Sequence, residues 1–382
     1  MKSFRLTKIL LIAVIVLGGA YLLSPEYLRN AAFYLYPGID DHKHFDNRTV
    51  IAGAPDPWQS LDGSGRREVP PGYEELLEKY KTVSFLVVEK GQIIFERYWE
   101  GYTQESLTGT FSVSKSIISF LTGIAIDRGF IDSVDQALGD FIPEFSTGGL
   151  AKITLRHLLE MSSGLSWDDS YLNPFGITSR AYYGDNLREL SLKQNPVELP
   201  GEFFRYKNGN TQLLAIALEK ACGMSVSAFA SANLWKKTGA VNDALWSLDK
   251  VNGIEKAFAG FNATARDLAR IGQLILNRGE WRGRQVISSG YIESALAPSS
   301  HLTDKNGNKV NYYGWHWWMH RQDGMIIYSM RGLKGQYVIV IPDRDIVIVR
   351  LGKKAGRDLD NSFTPSDLPG WVNIGLYLAA DN

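Results

Sequence analysis

Apolar, strand-like runs stand near both ends of the chain with helical spacing between them, and this arrangement restricts the possible folds more than any other feature. Residues 83–88 and 93–99 flank the turn Glu89-Lys90-Gly91-Gln92 and predict a β-hairpin. Residues 312–319, 325–330, 336–342 and 346–351 predict further strands, joined mostly by short turns such as Asp343-Arg344-Asp345. Helical spacing fills the interval. An apolar helix follows Ser112 and stops at Arg128-Gly129, and Thr154 can cap a short helix closed by Ser162-Ser163-Gly164. Another helix spans residues 211–222, and Thr264 with Asp267 opens an amphipathic one over residues 268–276. A last helical stretch runs through Trp371, Ile374 and Leu378. Strands from distant parts of the chain must therefore share a sheet, with a helical lobe inserted between them.

Net charge removes one class of function. Lysine plus arginine (41) equals aspartate plus glutamate (41), so no basic field favours nucleic acid. The single cysteine, Cys222, lies in an apolar helical pattern and rules out an intramolecular disulfide. His316 and His320 share an i, i+4 spacing, but the tryptophans around them read as a strand, and no third ligand accompanies the pair. No metal or organic cofactor is expected.

The N-terminus reads as an export segment. Lys2, Arg5 and Lys8 precede fifteen uncharged, mostly apolar residues, 9–23. Gly18-x-Ala20 offers a cleavage site, but the apolar run continues past it, which favours an uncleaved anchor over a secreted form. The cations then stay in the cytoplasm, and the rest of the chain faces the periplasm or another extracytoplasmic space. Residues 31–72, with Pro55-Asp56-Pro57 and Pro70-Pro71-Gly72, read as a linker or wrapping arm ahead of the main domain, 73–382. Residues 165–200 read as a long surface excursion rich in aromatics, with Tyr171 and Tyr183 expected to line a cleft.

Three short segments carry the chemistry. Ser112-Val113-Ser114-Lys115 puts a serine and a lysine one helical turn apart, about 5–6 Å at Cβ. A lysine that loses its proton readily can take the proton of a serine hydroxyl, which is otherwise a weak nucleophile. The same residues also suit an ordinary N-cap followed by an exposed lysine. Tyr206-Lys207-Asn208 sits at a loop-to-helix junction, where a tyrosine can act as general base and acid, or simply pack. Arg331-Gly332-Leu333-Lys334-Gly335-Gln336 is a glycine-rich hairpin whose N–H groups can receive an oxyanion, or an ordinary turn.

Taken together with residues 153–164 and 265–272, and in this order, these segments resemble the serine β-lactamase and penicillin-binding superfamily. The similarity covers about residues 83–378 and is greatest to 6-aminohexanoate-dimer hydrolases. It implies an α/β (α+β) fold of the β-lactamase/transpeptidase type: an antiparallel sheet flanked by helices plus an inserted all-α lobe at about residues 112–255, with the site between them. It also implies Ser112 as the acylated nucleophile, Lys115 as its proton partner and Tyr206 as the base that protonates the leaving group. Asn208 would orient Lys115 and substrate, and the N–H groups of Ser112 and Leu333 would form the oxyanion hole. The lysine-threonine-glycine motif of β-lactamases and transpeptidases is absent. Arg331 stands in that region as a candidate carboxylate binder, with Gly332, Leu333 and Gln336 beside it as substrate contacts. The expected activity is hydrolysis of small esters or amides; the alternatives are a β-lactamase or DD-peptidase, and an idle wall-binding or β-lactam-sensing protein.

Overall fold

The computed structural model describes residues 7–8, 10–12, 18–19, 21–34, 36–60, 68–169, 173–359 and 363–380. The anchor segment read from the sequence therefore falls partly outside the described residues. Among those described, no single helix is long and apolar enough to cross a membrane.

Helix α1 (Glu26–Tyr34) and strands β1 (Asn47–Val50) and β2 (Gln59–Ser60) come first. Helix α2 (Pro71–Lys79), the hairpin β3 (Thr82–Glu89) and β4 (Gln92–Tyr98), and β5 (Thr108–Gly109) follow. The helical lobe holds α3 (Val113–Asp127), α4 (Leu155–Leu159), α5 (Ile177–Tyr183), α6 (Leu187–Leu192), α7 (Asn208–Cys222) and α8 (Val226–Ala230). Next come β6 (Ala244–Ser247), β7 (Phe261–Ala263), α9 (Ala265–Leu276), the small hairpin β8 (Glu280–Trp281) and β9 (Arg284–Gln285), and α10 (Ser289–Ala295). The chain closes with β10 (Trp318–Gln322), β11 (Met325–Gly332), β12 (Gln336–Ile341), β13 (Ile346–Gly352) and α11 (Leu368–Ala380).

The main sheet has the order β10-β11-β12-β13-β3-β4-β2, antiparallel except for the parallel edge pair β2–β4. Alternation along its central strands splits two cores. Val338, Val340, Val347 and Val349 face one, and Tyr337, Ile339, Ile341, Ile346 and Ile348 face the other, as a period of two requires. Because both faces are covered, α9 on one side and α11 on the other, the strands are apolar almost throughout. Helix α3 is buried from Val113 to Ala125, which explains why apolar residues are not confined to one face of it.

Two expectations change, and of linker or arm the structure shows an arm. Residues 312–317 do not form a strand: β10 begins only at Trp318, and His316 turns through a positive φ of 64°. Its ring nitrogens instead meet Thr211 Oγ1 at 3.0 Å and the Tyr313 hydroxyl at 3.4 Å, so the aromatic run packs a bend. Within the stretch read as linker or arm, β1 pairs in register with β6, Asn47 opposite Ser247, and the arm is part of the folded body. The excursion over 165–200 is not merely superficial either. Trp167, Tyr182 and Tyr183 are all at least nine-tenths buried, while Tyr171 lies outside the described residues.

Candidate active site

Ser112 stands immediately before the first residue of α3, the helix that runs through the middle of the molecule, and its side chain makes no capping bond. The residue before it, Phe111, takes a φ of +49°, a region that bulky side chains avoid, and is held there by its surroundings. Thr110 donates from both its N–H and its hydroxyl to the Phe261 carbonyl on β7, at 3.0 and 2.7 Å. Ser114 Oγ donates to the Phe111 carbonyl at 2.7 Å and accepts from Phe261 N–H at 3.1 Å. The strained turn leaves Ser112 partly exposed at the floor of a cavity.

Lys115 lies one turn along and is 1% exposed. Its Nζ donates to Ser112 Oγ at 2.8 Å and to the Phe258 carbonyl at 2.8 Å, and lies 5.1 Å from the centre of the Tyr206 ring. Burial disfavours the ammonium and lowers the lysine pKa to about 7, against the opposing pull of the Asp169 carboxylate. Near neutrality a substantial share of Lys115 is therefore the free amine.

Tyr206 is placed by aromatic packing. Its ring meets Tyr313 edge-on at 6.1 Å and Trp318 at 5.4 Å, immediately before α7. Asn208, the first residue of α7, is buried and borders the same cavity as Ser112. Asp169 holds it there. The carboxylate accepts from Asn208 N–H at 3.0 Å, from Asn208 Nδ2 at 2.7 Å and from Thr178 Oγ1 at 3.1 Å. Burial raises the Asp169 pKa to about 6, with Lys115 and these donors opposing the rise. Gly209 makes this approach possible, because a Cβ there would run into the Trp167 ring that leads the loop across the start of α7.

The hairpin after β11 supplies the remaining wall. Gly332 sits so close to the Thr110 carbonyl that no side chain fits, and Leu333 consequently borders the cavity opposite Ser112. Among the described residues, neither the Ser112 nor the Leu333 N–H donates to a backbone carbonyl, which leaves both able to meet an oxyanion.

Two expected substrate contacts lie elsewhere. The Arg331 guanidinium is buried against the Trp318 ring at 5.0 Å and donates to Ser329 Oγ at 2.8 Å and to the Phe363 carbonyl at 2.7 Å, and it does not border the cavity. Gln336 is fully buried and clamps the hairpin: its Nε2 donates to Gly352 O at 2.6 Å and its Oε1 accepts from Gly352 N–H at 3.2 Å. The pleat directs both side chains into packing rather than into the cleft. Asp169 is the member that the sequence reading passed over. Its only local signal was a pair of aspartates after a tryptophan, because its partner lies 39 residues away.

A family model described as beta-lactamase matches residues 73–364. A 6-aminohexanoate-dimer hydrolase of Paenarthrobacter ureafaciens is 29% identical over 297 residues, covering 74% of this chain and 75% of that protein. Among solved structures, a Bacillus anthracis protein provisionally named as a 6-aminohexanoate-dimer hydrolase has a TM-score of 0.72 at 24% identity, with 94% of this chain and 95% of that one covered. A family VIII carboxylesterase shares the fold with a TM-score of 0.57 at 15% identity, over 82% and 99% of the two chains.

Proposed function

The chain belongs to the beta-lactamase family and is a serine hydrolase, and within that family we propose that it cleaves small esters or amides through an acyl-enzyme on Ser112. One observation carries the reading: a buried lysine with its pKa lowered to about 7 stands 2.8 Å from a serine hydroxyl at the floor of a cavity. As Ser112 Oγ bonds to the substrate carbonyl carbon, its proton passes to the free amine of Lys115. The carbonyl oxygen takes up the negative charge between the N–H groups of Ser112 and Leu333. Tyr206 gives its proton to the leaving oxygen or nitrogen as that bond breaks, and regains one from Lys115. Water then attacks the Ser112 ester, yields a proton to the same pair, and releases the carboxylic acid while Ser112 recovers its hydroxyl proton.

Support for this class comes from a relative named for hydrolysis of a 6-aminohexanoate dimer and a neighbour named as a carboxylesterase. Burial of Arg331 weighs against the β-lactam alternative, since the cation expected to hold a carboxylate is turned into the packing. The test is turnover of a short-chain nitrophenyl ester and of a chromogenic cephalosporin by the wild type, Ser112→Ala and Tyr206→Phe. Ester turnover lost in Ser112→Ala, with little cephalosporin cleavage, supports the reading. Fast cephalosporin turnover makes the protein a β-lactamase, and no Ser112-dependent reaction with either makes it an idle binder.

We also propose that the N-terminal segment holds the hydrolase at a membrane, on the face opposite Lys2, Arg5 and Lys8. In support, Leu10, Leu11, Leu22 and Leu23 are all more than half exposed. Resistance of the full chain to alkaline extraction from membranes, lost on deleting residues 1–24, tests it.

A further inference from the structure

We propose that the N-terminal arm is the specificity-determining wall of the acyl pocket, and that this pocket takes an uncharged, apolar acyl group. The inference rests on the serine hydrolase reading above. The cavity at Ser112 measures about 290 Å³, close to the lower bound for small-molecule sites. Among the described residues, no aspartate, glutamate, lysine, arginine or histidine lines it. Phe111, Tyr182, Tyr183 and Phe258 give aromatic walls, and Ala31 and Pro37 of the arm complete the enclosure. The Tyr182 hydroxyl donates to Asp41 at 2.9 Å, and burial raises its pKa well above the usual value, so the ring stays neutral. An ammonium or carboxylate carried by the acyl group would lose its water here and meet no counter-charge on the described lining residues, whereas an alkyl chain or ring gains from burial.

Tyr206 faces a different environment. It borders a second cavity, of about 320 Å³, whose rim carries Asp168, Arg205, Lys207 and Lys305. Since Tyr206 protonates the leaving atom, the leaving group belongs on that charged side and the acyl group, retained on Ser112, on the neutral one. The lack of charge is thus a property of the cavity at Ser112 and not of the one at Tyr206.

The arm is clamped from both flanks. Asn30 Nδ2 donates to the Tyr183 carbonyl at 3.2 Å on the helical lobe, and the Ile39 carbonyl accepts from Gly109 N–H at 2.7 Å. Lys334, on the hairpin that presents Leu333, sets its Nζ 5.2 Å from the centre of the Tyr36 ring. Ala31 is therefore a small side chain on a fixed helix, and its methyl group leaves the space an acyl chain would fill.

The experiment compares nitrophenyl esters of acetate, hexanoate and 6-aminohexanoate and the mononitrophenyl ester of adipate, read as ratios of kcat/KM. Wild type should favour hexanoyl over acetyl and over both charged chains by about tenfold or more. Ala31→Trp should cut the hexanoyl-to-acetyl ratio about tenfold, and Ala31→Asp should raise the 6-aminohexanoyl-to-hexanoyl ratio by a similar factor. A wild type that accepts charged and neutral chains equally overturns the proposal whatever the fate of the variants, as do unmoved ratios in both folded variants. Ester turnover that persists in Ser112→Ala would instead overturn the hydrolase reading beneath it.

Discussion

The Nζ of Lys115 lies 2.8 Å from the Oγ of Ser112, sealed from water apart from the cavity that Ser112 itself floors. With the lysine pKa lowered to about 7 by burial, the free amine that the proposed mechanism requires accumulates as pH rises through that value. A plot of kcat/KM against pH should climb about tenfold per unit below the lysine pKa and flatten above it. Lys115→Arg, which cannot give up its proton in this range, should lower kcat by about 10²–10⁴ at every pH.

Asp169 shifts that limb. Its charge raises the Lys115 pKa, so Asp169→Asn should move the acid limb of the profile to lower pH. The variant also leaves one acceptor oxygen in place of two for the Asn208 N–H and Nδ2, and an unfolding titration should show a loss of about 1–3 kcal/mol. A merely structural aspartate would change stability and leave the limb in place.

Gly332 is needed because the Thr110 carbonyl occupies the place of a side chain. Gly332→Ala must push the hairpin away and carry the Leu333 N–H with it. Steady-state kinetics should show kcat reduced about 10²–10³-fold, the usual cost of one lost oxyanion donor, with a smaller change in KM.

Away from the site, Asp267 and Arg270 form an ion pair at 2.9 Å with both side chains fully buried. Asp267 also accepts from the N–H groups of Val241 and Asn242 and from the Thr264 hydroxyl. Asp267→Ala strands the guanidinium and these donors, so denaturant unfolding should register a loss of about 3–5 kcal/mol.

Much of this was legible in the sequence wherever the cause is local. The β3–β4 hairpin, the extent of α3 and the Thr154 cap follow from apolar period, turn residues and capping chemistry. The contact between Ser112 and Lys115 was readable because one turn of one helix carries both. Asp169 was not, because its meaning arises only when the Trp167 loop settles on Gly209 and brings the carboxylate to α7. Arg331 and Gln336 were misplaced for a related reason. Sequence shows that they flank a hairpin, but pleat and packing decide whether a side chain faces the cleft. The arm lacked periodicity altogether, since β1 is made by its partner β6 about two hundred residues on and not by its own pattern.

The central claim is that Ser112 becomes acylated and that Lys115 enables it. Intact-mass measurement after brief exposure to a nitrophenyl alkylphosphonate, which phosphonylates an active serine and stays attached, tests this most directly. A single adduct is expected on the wild type, mapping to Ser112, with none on Ser112→Ala and a much slower one on Lys115→Met. An adduct formed equally fast on Ser112→Ala, or no adduct on the wild type at any pH between about 6 and 9, would contradict the account.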